Sequence, residues 1–172
     1  MSTLLVAAIL VGSIVIICFL LISIHNKHKR EAMNLILKHF SQSGIENNLS
    51  FSSQEVLSHC VLGLDGVNRK ILVVTKEGDG FSSLIIDLNE IKLCTVKKVF
   101  GTINVGDLKE HKLNQYLEKI VLHFEFSGQD PVEIVFYRNI DNHIYEAQEL
   151  EHKAKHWETI LSKMQKPLKN IA

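Results

Sequence analysis

The sequence has little proline, few cysteines and no excess of charge of either sign. Pro131 and Pro167 are the only prolines in 172 residues, so no proline-rich linker is indicated. The 19 basic and 19 acidic side chains cancel, so the chain has no overall field that would attract nucleic acid. None of these charges falls within residues 1–24. The remainder of the chain is long enough to bury the core of one domain.

The three cysteines, Cys18, Cys60 and Cys94, are odd in number and include no C-x-x-C pair. This pattern predicts neither a disulfide framework nor a zinc knuckle. We therefore expect reduced thiols, with Cys60 and Cys94 buried in strands. A disulfide between Cys60 and Cys94 is the alternative if the domain lies outside the cytoplasm.

One long apolar run stands near the N-terminus, over residues 4–24 (LLVAAILVGSIVIICFLLISI). A helix of this length, rising about 1.5 Å per residue, would span a hydrocarbon core of roughly 30 Å. No basic residue precedes the run and no small-x-small cleavage pattern follows it, which favours an uncleaved anchor over a signal peptide. The sequence therefore predicts a transmembrane anchor over residues 1–25. Positions that mark it are Leu4, Gly12, Cys18 and Ile24.

Basic residues follow the apolar run at Lys27, Lys29 and Arg30. Because basic residues beside a span stay cytoplasmic, they predict an outside N-terminus and a cytoplasmic C-terminal domain. The predicted location is a plasma (bacterial inner) membrane, crossed once. Contact of the same three residues with anionic lipid headgroups is the alternative to a role in topology alone.

Residues 26–54 are predicted to form a juxtamembrane amphipathic helix and a connector. Apolar residues from Ala32 to Phe40 recur at spacings of three and four, and Gly44 stands where a C-cap glycine is expected. The segment that follows is rich in Asn and Ser, as connectors are. The apolar face of this helix fits packing on the domain and packing on a membrane equally well.

Residues 55–172 are predicted to form an antiparallel β domain that ends in a helix. Apolar alternation and turn signals such as Asp65-Gly66 predict six strands. These are Val56–Asp65, Arg69–Glu77, Phe81–Leu88, Lys92–Phe100, Lys119–Ser127 and Val132–Asn139. Gly101–Asn114 is predicted to be a long loop. The final helix, Tyr145–Gln165, carries one apolar stripe that includes Leu150, Trp157 and Leu161, and this stripe is expected to pack on the sheet.

Antiparallel strands followed by one amphipathic helix resemble the pleckstrin-homology-like (PH-like) fold, as found in bacterial PH-like domains. The stretch LIIDLNEIKLCTV, Leu84–Val96, looks like their third-to-fourth strand region, and Trp157 resembles the aromatic residue that the helix inserts into the barrel. The predicted class is α+β: a transmembrane helix, then a PH-like β-sandwich or open barrel capped by the C-terminal helix. The family has seven strands; a split first strand or a strand within Thr102–Val105 would supply the missing one.

The resemblance implies binding without catalysis. The phosphoinositide signature of the family needs clustered basic residues in the first hairpin, and this chain has only Arg69 and Lys70 there, beside Asp65. We therefore do not predict phosphoinositide binding. No cofactor and no small-molecule substrate is indicated.

Candidate chemical groups favour no catalytic or metal site. His152 and His156 share a helix face, but no third ligand is evident. His59 and Cys60 are neighbours on a strand, so their side chains point to opposite faces. A weak basic rim lacks interleaved aromatic residues, so nucleic-acid binding is not expected. The residues of this rim are Lys92, Lys97, Lys98, Lys109 and Lys112.

Three functional hypotheses follow. The first is a membrane-tethered, non-catalytic scaffold module that binds a protein partner near the bilayer, through an exposed strand edge or through Gly101–Asn114. The second is a peripheral sensor of anionic lipid headgroups. The third, an enzyme, requires a deep pocket lined by convergent titratable groups.

Overall fold

Two antiparallel sheets and two long helices make up the structure, a computed structural model. It describes residues 2–78, 80–103 and 114–164, and within the first helix the side chains of residues 12–13, 15–21, 27 and 30–46. One sheet has the strand order β1-β2-β3-β4 and the other β5-β6-β7. The elements are α1 Ser2–Glu46, β1 Ser53–Val56, β2 Cys60–Asp65, β3 Lys70–Glu77, β4 Gly80–Asp87, β5 Ile91–Ile103, β6 Asn114–Phe126, β7 Val132–Arg138, a 3-10 turn Ile144–Glu146, and α2 Ala147–Met164.

The first predicted strand is in fact two strands. The chain reverses between β1 and β2, where the N–H of Leu57 donates to the carbonyl of Cys60 at 2.9 Å, and Val56 then pairs with Val61. The turn comprises Leu57, Ser58 and His59, and the apolar residues on both sides of the polar pair led to one predicted strand, Val56–Asp65. The described residues therefore form seven strands, and the fold is a small α+β domain with two antiparallel sheets and a C-terminal helix.

The hairpin of β5 and β6 is longer than predicted, so the predicted loop Gly101–Asn114 is partly strand. Gly101 pairs with Tyr116, and the Tyr116 ring covers it so closely that a Cβ at residue 101 would lie 2.5 Å from Cζ. Residues 104–113, with Lys109 and Lys112, lie outside the described residues.

The main core lies between the two sheets and is closed by α2. Inward-facing residues of both sheets, such as Leu62 and Phe124, are fully buried because alternate side chains of a strand share one face. The structure buries Leu150, Trp157 and Leu161 of α2 against them, with 8%, 2% and 1% of their surface exposed. Burial of this stripe fixes α2 across one end of the sheets.

The second half of α1 packs on the outer face of the first sheet. Ile36 and Phe40, both 2% exposed, contact a second apolar cluster formed by Val61, Leu72 and Val74. Of the two surfaces that the apolar face of this helix could cover, the structure places it on the domain. The helix also continues to Glu46, so Gly44 lies inside it instead of capping it.

The predicted transmembrane anchor is contradicted. Among the residues that the structure describes, no helix is long and apolar enough to cross a membrane. The apolar run does not form a separate element: α1 continues without interruption from it into charged residues and then onto the sheet. This corrects the assignments of Leu4, Gly12, Cys18 and Ile24 to a membrane span, and with them the predicted membrane localisation; the side chains of Leu4 and Ile24 lie outside the described set.

The basic residues after the apolar run lose their predicted topological role for the same reason. Lys27 forms an exposed ion pair with Glu31 one helical turn later, at 3.9 Å. Arg30 is exposed, and the Lys29 side chain lies outside the described residues. In the structure these positions belong to the continuous helix α1.

Candidate functional site

Side chains of α2 contact two of the four edge strands, β5 and β1. On β5, the backbone N–H of Val96 donates to Glu158 Oε1 of α2 at 2.9 Å. On β1, Glu55 accepts a hydrogen bond from Trp157 Nε1 at 3.5 Å and pairs with Lys153 at 3.3 Å. Because α2 also packs against β7, the edge of β4 is the candidate for contact with another molecule.

Residues 80–86 of β4 lack most of the features that protect an exposed strand, although the strand ends at Asp87 and α1 contacts its outer face through His39 and Ser43. Residues 80–86 include no charged residue and no proline, and the pairing with β3 is regular, without a bulge. Within the described residues, the backbone of β4 forms its ladder with β3 alone. Leu84 and Ile85 remain 41% and 37% exposed. Natural proteins commonly guard such an edge with lysine, proline or a bulge, so an unguarded edge is a candidate pairing surface.

A cleft of about 280 Å³ separates β4 from β7. Its apolar floor comprises Cys60, Val73, Leu84 and Ile134, and its polar rim includes His59, Thr75, Glu77, Ser82, Glu133 and Arg138. Pockets for small ligands usually measure about 300–1,000 Å³. The volume of this cleft lies at the lower end of that range.

Several charged groups in the rim of the cleft form ion pairs with neighbouring residues. Burial and the neighbouring Arg138 cation lower the pKa of His59, which favours a neutral ring at pH 7. Lys119 donates to Glu133 at 2.8 Å and lowers the pKa of that carboxyl, which therefore remains ionised. Arg138 lies 3.5 Å from Asp141. Glu133 and Arg138 are thus paired, whereas Glu77, also in the rim, has no ion-pair partner among the described residues.

The cysteine in the floor of the cleft is a poor nucleophile. Burial raises the pKa of the Cys60 thiol to about 12, so the reactive thiolate is scarce at neutral pH. His59 and Cys60 line the same cleft, but nothing in this environment activates the sulfur. Cys18, Cys60 and Cys94 are all free thiols, so the alternative disulfide between Cys60 and Cys94 is not formed.

The remaining predicted candidates do not converge. His152 and His156 are exposed on α2, and the described part of the chain holds no group of three or more His, Cys, Asp or Glu residues that could bind a metal ion. In the basic rim, Lys97 pairs with Glu125 at 3.7 Å and Lys98 with Glu151 at 2.6 Å. This pairing removes much of the positive potential expected from the sequence.

A larger cavity, of about 410 Å³, lies where α1, the end of β1 and α2 meet. Its polar residues are bonded to one another: Asn142 Nδ2 donates to Ser58 Oγ at 3.4 Å and to Glu146 Oε2 at 3.2 Å. These contacts join the β7–α2 connection to β1, which is a structural role.

The sequence reasoning singled out neither Leu84 nor Arg138. Residues 80–86 carry no charge, and this could have indicated an exposed strand edge at Leu84. The same pattern was used only to predict the strand Phe81–Leu88. No local signal places Arg138 beside it, because β4 and β7 belong to different sheets.

The fold and the cleft define a small α+β domain in which the edge of β4 lies open beside a cleft, as far as the described residues show. Comparisons of the chain with protein-family models, with characterised proteins and with solved structures find no match.

Proposed function

We propose that this protein is a non-catalytic interaction module of PH-like architecture that binds an extended segment of a partner protein along the edge of β4. The grouping of four and three strands, followed by a helix across one end, supports the PH-like assignment. The observation that carries the binding function is the regular edge of β4, uncharged over residues 80–86, beside a cleft with an apolar floor and a polar rim.

An added strand would be held by both main chain and side chains. Its N–H and C=O groups would pair with those that β4 directs away from β3, and each such bond contributes about 0.5–1.5 kcal/mol net. Alternate side chains would enter the cleft, which provides specificity in this mode of recognition. The protonated thiol and the paired charges of the cleft support binding over catalysis.

The lipid-headgroup hypothesis has less support. Lys97 and Lys98 each lie beside a carboxylate, so both are partly neutralised before any lipid approaches. No other observation favours a headgroup site.

The test is selection of ten-residue linear peptides, displayed on phage, against the immobilised full chain. Ile85→Lys introduces the charge that natural edge strands carry, so peptides enriched on the wild type should bind the variant at least about tenfold more weakly. Val67→Lys is the matched control, because Val67 is 88% exposed in the β2–β3 turn, away from the cleft. Enriched peptides that bind the wild type and Ile85→Lys equally would refute the function.

A further inference from the structure

The turn between β1 and β2 contains a residue that lines two neighbouring cavities. His59 lines the cleft between β4 and β7, and it also lines a second cavity of about 320 Å³ between α1 and the end of β3. No other described residue lines both. Protein interiors are normally close-packed, so open space on two sides of one residue is unusual and leaves it room to move.

The hydrogen bonds that hold this turn are long. The carbonyl of His59 accepts from the N–H of Lys76 at 3.2 Å, and the Nδ1 atom of its ring lies 3.4 Å from Ser58 Oγ. Asn142 Nδ2 donates to the same Ser58 oxygen at 3.4 Å. These distances lie at or beyond the upper end of the usual range. Leu57, in contrast, is 2% exposed in the main core, so the first residue of the turn is anchored and the next two are weakly held.

Charged groups from the surrounding strands determine which charge the His59 ring can carry. Residues of α1 that line the second cavity are apolar, so the charges come from β3, from β7 and from the connection after β7. The charged residues near the ring are Lys76, Glu77, Glu133, Arg138 and Asp141.

A neutral ring is favoured as long as His59 stays in this place. Burial lowers the pKa of His59 and the Arg138 cation lowers it further, while Asp141 and the Val135 carbonyl partly oppose them. In water the pKa of the ring returns toward the ordinary value of about 6.5. The proton is then bound more tightly outside the cleft than inside it, so a fall in pH favours the position outside.

We propose that the turn formed by residues 57–59 is a pH-sensitive gate between the two cavities. Near neutral pH the uncharged His59 ring lies beside β7 and keeps the cavities apart. On acidification the protonated ring moves into solvent with the backbone of Ser58 and His59, the bond to Lys76 breaks, and the two cavities join. This inference goes beyond the proposed function and does not depend on it.

The experiment measures amide hydrogen exchange of the full chain by NMR at about pH 7.5 and about pH 5.5, a range in which histidine titrates and carboxyl groups ordinarily do not. Rates are expressed as protection factors, which removes the intrinsic effect of pH. The Lys76 amide reports the gate, because its bond to the His59 carbonyl breaks on opening. Its protection factor should fall at least about threefold at the lower pH. The Leu122 amide, in the central strand β6, should change by less than about 1.5-fold.

Three variants identify the group responsible. His59→Gln keeps a polar side chain without a titrating charge, so the protection of Lys76 should be the same at both pH values. His59→Lys is charged throughout and should show the low protection at both. His152→Gln, at an exposed position of α2, should respond to pH as the wild type does. Circular dichroism of each variant verifies that it is folded.

Each contrary outcome overturns the inference. If the fall in Lys76 protection persists in His59→Gln, another group causes it. If Leu122 loses protection in parallel, the whole domain unfolds and the turn is not a local gate. Equal protection of Lys76 in the wild type at both pH values would also refute the gate. None of these measurements involves a ligand at the edge of β4, so the two proposals fail separately.

Discussion

The aromatic ring of Phe40, on helix α1, lies directly against Gly63 of strand β2. Phe51 stacks on Phe40 with ring centroids 4.5 Å apart, and a Cβ at residue 63 would come within 2.8 Å of Phe51 Cδ1 and still closer to Phe40. The missing side chain at Gly63 is what allows α1 to approach the sheet. This contact fixes the position of α1, whose His39 and Ser43 contact the outer face of β4.

Gly63→Ala should therefore loosen the docking of α1. Overpacking of this kind typically costs about 1–3 kcal/mol, and the free energy of unfolding in urea should fall by that amount. Amide exchange in residues 33–44 should accelerate. Gly80→Ala is the control, because a Cβ there meets only Glu77 O at an ordinary 3.7 Å. Equal stability of the two variants would mean that Phe40 and Phe51 reposition without cost.

Trp157 should be the most sensitive position on α2. It is 2% exposed in the main core, and removal of a buried Trp side chain costs about 3–5 kcal/mol. Trp157→Ala is expected to lower the urea midpoint strongly, followed by far-UV circular dichroism. His156→Ala, at an exposed neighbouring position, should change the free energy of unfolding by less than about 0.5 kcal/mol. A similar loss in both variants would argue against a helix that closes the core.

Arg69 should stabilise the junction of two turns with the end of α2. Its Nε donates to Asn89 Oδ1 at 3.0 Å, and its Nη2 donates to the carbonyl of Met164 in the last turn of the helix. Loss of hydrogen bonds from a charged donor costs about 1.5–3 kcal/mol, so Arg69→Ala should reduce the free energy of unfolding by roughly this amount. Lys92→Ala, at an exposed position, should have little effect. If amide exchange at residues 160–164 does not accelerate in Arg69→Ala, the helix end is held by other contacts.

Stability at low pH should depend on Asp65. The backbone N–H groups of Asn68 and Ser50 donate to its carboxylate at 2.8 Å and, with other donors, lower its pKa to about 2. A carboxyl with a depressed pKa contributes stability above its unfolded value of about 4, and this contribution is lost as the pH falls toward 2. Asp65→Asn should be less stable than the wild type at pH 7.

The difference between Asp65→Asn and the wild type should shrink from pH 4 to pH 2, as measured by urea unfolding across that range. Glu133 and Glu151 also have lowered pKa values, through hydrogen bonds from Lys119 and Lys155. Their effect is common to both proteins and cancels in the difference. Asp130→Asn, at an exposed turn position, controls for the loss of one carboxylate. A pH-independent difference would contradict a role for the ionised Asp65 carboxylate.

Local periodicity predicted the elements well where one face of an element is buried. The stripe from Ala147 to Leu161 indicated α2, and the alternation around Phe124 indicated β6. The prediction failed at the break between β1 and β2, where the polar residues Ser58 and His59 were placed inside a strand together with the buried Leu57. It also failed for α1, because the apolar run over residues 4–24 has the length and the flanking residues typical of a membrane span, whereas the structure has one helix that continues to Glu46 and packs on the sheet.

The sequence by itself determined the antiparallel strands, the apolar face of the final helix and the lack of charge over residues 80–86 of β4. Only the tertiary structure decided which strand edges remain open, because Glu158 reaches Val96 across 62 residues and Trp157 reaches Glu55 across 102. A pattern of apolar residues states that a surface must be covered, but what covers it depends on contacts between segments far apart in the chain. For that reason the cleft between β4 and β7, two edges of different sheets, is visible only in the folded protein.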